Sequence, residues 1–211
     1  MESLSEQKRN NESFLRNQFH SENRFGFPLV RKQDIDLRGI VLKPVSDIKP
    51  NDKSNNGNVG VHFFVDDYRF TKYFDHYEKY INLLKQYKFV LTPDFSLYAD
   101  MPIWRQIESV GKNRWCGAYW QSKGIQVIPT ISWSLYSSYE FCFKGVEKYG
   151  IVAIGMIGAK KSKLRFLRGY DRMLEELSPN KIICLGTPFH EMEGNIFSFD
   201  YCNSRKIGGK Q

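Results

Sequence analysis

Closely spaced metal ligands are absent from this chain. Cys116, Cys142, Cys184 and Cys202 stand far apart with no CxxC pair, and His20, His62, His76 and His190 are equally scattered. A structural zinc site needs at least one close ligand pair, and an iron–sulfur cluster needs gathered thiolates. Both classes are therefore excluded, and the cysteines read as reduced, mostly buried thiols. No apolar run approaches the roughly 18–20 residues of a membrane-spanning helix. The opening MESLSEQKRN lacks the apolar stretch of a secretory signal. These absences predict a soluble, cytoplasmic protein with no membrane partner. A nucleophile elbow, an HExxH motif, a dinucleotide fingerprint and a catalytic-triad spacing are missing as well.

Positive charge and aromatic rings are what the chain has in quantity. Lys and Arg outnumber Asp and Glu 31 to 23, a formal charge of +8. That excess favours a polyanionic partner, either nucleic acid or a phosphorylated small molecule, although a solubilising surface would give the same balance. The 16 Phe, 12 Tyr and 4 Trp imply a core packed largely with rings. A chain of 211 residues suits one domain with a substantial core.

Residues 1–25 are polar and charge-mixed and read as a mobile arm, residues 26–203 as a single α/β domain, and residues 204–211 as a polar tail. Val41 to Val45 reads as an edge strand, because Pro44 would spoil a central one. Apolar runs at 61–65, 89–91, 125–128, 151–154, 181–185 and 196–199 read as strands. Between them lie helical patterns from Thr71 to Tyr87, from Pro102 onward, from Tyr136 to Phe143, and from Ser162 to Leu177. Ser162 is placed to cap the last of these, with Leu164, Leu167, Tyr170, Leu174 and Leu177 facing inward. Such alternation makes β-α-β units and a mostly parallel sheet flanked by helices on both faces. With fewer strands than the eight of a full barrel, an open doubly wound sheet comes first and an incomplete or distorted β/α barrel second. Either arrangement gathers functional groups at the carboxyl ends of the strands.

Those ends carry the candidate chemistry. Asp66, Asp67 and then Arg69 leave the first strand; Asp94, Ser96 and Tyr98 leave the second; Thr130, Ser132 and Trp133 leave the third. Hard cations such as Mg or Mn take carboxylate oxygens from separate loops, which makes Asp66 and Asp94 candidate metal ligands. Together with Asp67 they also form a candidate acid/base set. The ordinary alternative is that Asp66 or Asp67 caps the helix from Thr71. Tyr98, Thr130, Ser132 and Trp133 are candidate ligand contacts. His62, inside its strand, suits a core role, and the cluster Trp115, Tyr119, Trp120 suits helix packing.

The fourth exit, GMIGAKKS, leads through Gly155 and Gly158 past Lys160 and Lys161 to a helix start, where unpaired N–H groups favour an anion. Its spacing is not that of a Walker A loop, and a tight turn with solvated lysines would look alike. Lys161, Arg165, Arg168 and Arg172 then form one stripe, which suits a phosphate backbone or a solvated face. Glu175 and Glu176 can pair with Arg172. Arg69 and Arg114 are secondary phosphate-binding candidates.

Four segments carry a resemblance: VHFFVDDYRF from Val61, PDFSLYADMP from Pro93, NRWCGAYWQSKGIQVIPTISW from Asn113 and FLRGYDRML from Phe166. Together they resemble a family of unknown function found in Gram-positive bacteria, their phages and other mobile elements. The resemblance covers Gly26 to Phe199 and implies a mobile-element context. It brings no activity and no catalytic residues. Two readings follow from the residues. One is a cytoplasmic protein acting on nucleic acid or a phosphate-bearing ligand as a metal-assisted hydrolase. The other is a non-catalytic accessory that binds DNA or a host protein in replication control, defence or counter-defence.

Overall fold

Among the described residues, short β-rich runs separated by amphipathic segments fold into seven parallel strands met in chain order. The computed structural model describes residues 3–200 apart from Lys53 and Asn55. The polar tail at 204–211, the domain end at 203 and Cys202 lie outside the described residues. One sheet holds β1 (Val41–Pro44), β2 (Val59–His62), β3 (Phe89–Leu91) and β4 (Val127–Ile128), and the other β5 (Ile151–Gly155), β6 (Lys181–Leu185) and β7 (Ile196–Phe199). The helices are α1 (Leu4–Arg9), α2 (Glu12–Leu15), α3 (Lys72–Asp75), α4 (Ile81–Leu84), α5 (Ile103–Ser122) and α6 (Lys163–Leu177).

Among the described residues a single bridge joins the sheets. Ala153 N donates to Pro129 O at 2.9 Å, and Ile131 N donates to Ala153 O at 2.8 Å. Side-chain alternation then decides the layers. Val61, Phe63, Val90 and Val127 point outward to Tyr73, Leu84, Trp115 and Trp120 on α3, α4 and α5. Val152, Ile154, Ile182 and Cys184 point outward to Tyr170, Met173 and Leu177 on α6. The inner faces meet each other, with Leu42, Phe89, Leu91 and Ile128 from the first sheet packing with Ile151, Ala153, Ile183 and Leu185 from the second. The α/β class with parallel strands is therefore present. Strand order runs with the chain, without the reversal of a doubly wound sheet. Among the described residues β7 does not pair with β1, so no closed barrel forms.

Several local expectations give way to packing. The helix expected from Thr71 to Tyr87 is three short pieces, because His76 leaves helical geometry at φ −116°, ψ 50°. The break lets Tyr77 stand edge-on to Trp115 and Tyr119, with ring centroids 5.0 and 4.7 Å away. The stretch expected as helical from Tyr136 to Phe143 is a 3₁₀ turn, Tyr136–Glu140. Leu164, expected inward, is exposed in the first turn of α6, and Phe166 and, further along the helix, Met173 pack inward as well as the residues expected there. Within residues 1–25 the chain is docked from Arg16 onward. The Arg16 guanidinium lies 4.1 to 4.4 Å from the ring centroids of Phe74, Tyr77 and Trp115, and it donates to Phe74 O at 3.0 Å.

Candidate active-site pocket

The exits of β2, β3, β4 and β5 converge on a pocket of about 510 Å³, within the usual range for small-ligand sites. Its floor is set by a staple between β3 and β4. Thr130 N donates to Thr92 Oγ1 at 2.7 Å, Thr130 Oγ1 donates back to Thr92 O at 2.8 Å, and Asn113 Nδ2 of α5 donates to Pro93 O at 2.7 Å. Gly117 lets α5 approach closely enough for this, since a Cβ there would come within 2.8 Å of the Thr92 methyl. The staple fixes the next residues of each strand side by side, Asp94 and Ser132.

Asp94 is half-buried and accepts a hydrogen bond from the Ser132 hydroxyl. Burial pushes its carboxyl up to about 6; the Ser132 bond opposes this, and the neighbouring Asp67 carboxylate adds to it. Asp67 is held by Ser96, whose N–H and Oγ donate at 3.1 and 2.9 Å. Asp66 is exposed at the rim and pairs with Arg69 at 3.7 Å. Neither Asp66 nor Asp67 caps a helix with its side chain.

The opposite wall comes from β4, β5 and α6. Trp133 lies flat on α6 at Gly169, where a Cβ would fall 2.2 Å from the indole, and it also packs on Phe166 with centroids 5.0 Å apart. Gly155 makes room for the Phe64 ring, and Gly158 turns the chain at φ +76°. Arg165 and Tyr98 complete the lining among the residues expected from the sequence. Ser162 occupies the N-cap position of α6, but its side chain makes no capping bond, and the residue lines the pocket.

Other expected residues are placed elsewhere. Thr130 is buried in the staple. Arg114 is fully buried as a structural tie, donating to Lys144 O at 2.9 Å, Cys142 O at 2.6 Å and Thr130 O at 3.2 Å. Burial lowers its pKa to about 10, so it stays cationic, but no ligand reaches it. Lys160 and Lys161 are exposed on the 3₁₀ turn Ala159–Ser162, beside the mouth rather than in it, and Arg168 lies one turn along α6 from Arg165. His62 sits beneath Phe64 and accepts its N–H through Nδ1 at 3.2 Å; burial lowers its pKa to about 3, so it is neutral. Cys116, Cys142 and Cys184 are free and buried.

The sequence reading passed over Ser134, Leu97, Ile157 and Phe166. Ser134 donates to Gln106 Oε1 at 2.5 Å and tightens the loop after Trp133. Its position directly after a named exit residue was the available signal. Among the described residues, no group of three or more His, Cys, Asp or Glu is arranged to hold a metal ion. Asp66, Asp67 and Asp94 all line the pocket, with Asp67 and Asp94 bonded to serines and Asp66 paired with Arg69. No helix among the described residues is long and apolar enough to cross a membrane.

Comparison with known proteins places this architecture in a phage context. The gene 1 protein of Mycobacterium phage L5 is 35% identical over 179 residues, covering 83% of this chain and 77% of that protein. The gene 1 protein of Mycobacterium phage D29 is 39% identical over 129 residues, covering 60% of this chain and 48%, about half, of its own length. No solved structure matches. Residues 19–202 match a family described as "Domain of unknown function (DUF4417)", and the match takes in the docked N-terminal segment from Phe19 onward. The chain belongs to that family.

Proposed function

We propose that the pocket binds a phosphate-bearing ligand and hydrolyses a phosphate ester, with Asp94 as the group that moves the proton. The observation that supports this most is the pairing of a half-buried carboxyl poised at about 6 with an arginine and the start of α6 on the facing wall. A general base works best with a pKa near the working pH. Arginine forks and helix-start N–H groups suit phosphate oxygens. Asp67, pinned by two bonds from Ser96, stays in place as a fixed negative neighbour.

In this reading Arg165 and the turn from Gly158 to Ser162 hold the phosphoryl oxygens. Asp94 takes a proton from the attacking water as its oxygen bonds to phosphorus. The ester P–O bond breaks, and the departing oxygen takes the proton from Asp94. A bound Mg or Mn ion would supply Lewis-acid polarisation of the phosphoryl oxygens; Asp67 and Asp94, with Asp66 at the rim, are the donors that would hold it.

The test is turnover of nucleotide, single-stranded and duplex substrates by wild type and Asp94→Asn, with and without Mg or Mn. Wild-type release of phosphate or cleaved product, lost in the variant at unchanged folding, is expected. A wild type inert across that panel sinks the proposal. One observation favours the second reading, a non-catalytic accessory. Both Asp67 oxygens and one Asp94 oxygen are already engaged by serines, as in structural turns. The exposed Lys160, Lys161, Arg165 and Arg168 would then carry function by engaging DNA or an acidic host protein.

A further inference from the structure

The carboxyl ends of the strands present large rings to solvent. Tyr68 follows β2, Tyr98 follows β3, Trp104 opens α5, and Tyr136 follows β4; they are 73, 64, 63 and 85% exposed. Rings normally go inside, and in this chain most do, so four left out at one end of the fold need a reason. Two carry a cation: Arg69 lies 5.3 Å from the Tyr68 ring centroid and Arg105 lies 5.4 Å from that of Trp104.

The cations beyond β5 show a matching bias. Along α6, Lys163 pairs with Glu191 and Arg172 pairs with Glu175 and Glu176. Among the described residues, Lys160, Lys161, Arg165 and Arg168 form no ion pair. The unpaired charge is thus concentrated at the end of the helix that borders the pocket. One of these rings, Tyr98 after β3, and one of these cations, Arg165 in the first turn of α6, line the same pocket.

From this division we infer that the surface takes single-stranded nucleic acid, with phosphates on Lys160, Lys161, Arg165 and Arg168, bases against the rings, and one nucleotide entering the pocket. The inference rests on the pocket reading above and names its substrate class. Exposed rings beside a basic track stack unpaired bases, whose faces a duplex keeps within its own stack. The acidic floor formed by Asp67 and Asp94 repels phosphate and confines the backbone to the cationic side. A partner protein would instead call for a continuous apolar patch, and here the rings alternate with Arg69 and Arg105.

Fluorescence anisotropy of the full chain with a labelled oligothymidylate of about 12 nucleotides, against a duplex of equal length, tests this at about 50 mM salt. Single strand should bind at least about tenfold tighter than duplex. Tyr98→Ala should weaken single-strand binding about tenfold by removing a stacking ring. Arg165→Ala with Arg168→Ala should flatten the dependence of log K on log salt by about 1.4, about 0.7 for each phosphate left without its cation. All three side chains are exposed, so the variants should fold. Duplex binding equal to or tighter than single strand, no binding of single strand, or an unchanged Tyr98→Ala would each overturn the inference. Asp94→Asn separates the two proposals, because it should bind single strand no more weakly than wild type, and still in preference to duplex, while losing turnover. Turnover of mononucleotides without oligonucleotide binding refutes the substrate class alone. Selective binding by a wild type that turns nothing over refutes the chemistry alone.

Discussion

Replacing Asp94 by asparagine should make the protein more stable at neutral pH. Burial against the Asp67 carboxylate favours the protonated form of Asp94 in the fold, raising its pKa from 3.8 to about 6. A raised folded-state pKa gives its full support to the fold below about pH 3.8 and loses it as pH rises through about 6. At pH 8 wild type therefore carries a charge the fold resists, at a cost of up to about 3 kcal/mol. Asparagine removes that charge and can still accept from Ser132, though a neutral acceptor holds that hydroxyl less strongly than a carboxylate does. The net gain should be about 1–2 kcal/mol, or about 2–8 °C in Tm for a chain of this size. Thermal unfolding of both proteins between pH 4 and 8 would show it. The two Tm values should nearly coincide at the acid end and separate through about pH 6, with the variant above. A variant less stable than wild type at pH 8, or a difference that does not change with pH, would refute the assignment of Asp94 as a strained carboxyl.

Two further changes probe how the pocket is held. Gly169→Ala gains about 1 kcal/mol of helix propensity but places a methyl where the Trp133 ring lies. A net loss of about 1–2 kcal/mol is expected in urea unfolding, with shifted tryptophan emission; unchanged stability and emission would show that the ring is free to move. Arg114→Met nearly keeps the volume yet removes the guanidinium donor from the Lys144 and Cys142 carbonyls and leaves Thr130 O to Asn113, which should cost about 3–5 kcal/mol by the same measurement. A loss below about 1 kcal/mol would mean that the guanidinium is dispensable.

Much of the fold was legible because its signals are local. The runs at Phe89–Leu91, Ile151–Gly155 and Lys181–Leu185 are short, apolar and β-branched, and Pro102 marks the start of α5. Their relative order was not legible, since alternation of strand and helix is common to barrels and doubly wound sheets alike. The break at His76 was hidden for a related reason. The spacing of Tyr73, Tyr77, Tyr80 and Leu84 satisfies a helical period, while the rings they meet on α5 are distant in sequence.

In the pocket, the exits named from the sequence converge because parallel strands put all their carboxyl ends on one side. Arg114 was misread because cationic character says nothing of burial; its neighbours Trp115 and Cys116 were the only hint. Lys160 and Lys161 were placed with the lining because a loop's direction after its strand depends on Gly158, whose positive φ turns them outward.

The bridge between Thr130 and Ala153 has a consequence for how this molecule can be divided. The acids belong to loops of the first sheet, and Arg165 to the helix packed on the second. Among the described residues, two backbone bonds at Ala153 bring the sheets' edges into register there. A break anywhere between residues 131 and 151 leaves Asp67 and Asp94 in one piece and Arg165 in the other. Coexpressed fragments would have to rebuild that seam before any ligand could meet both signs of charge.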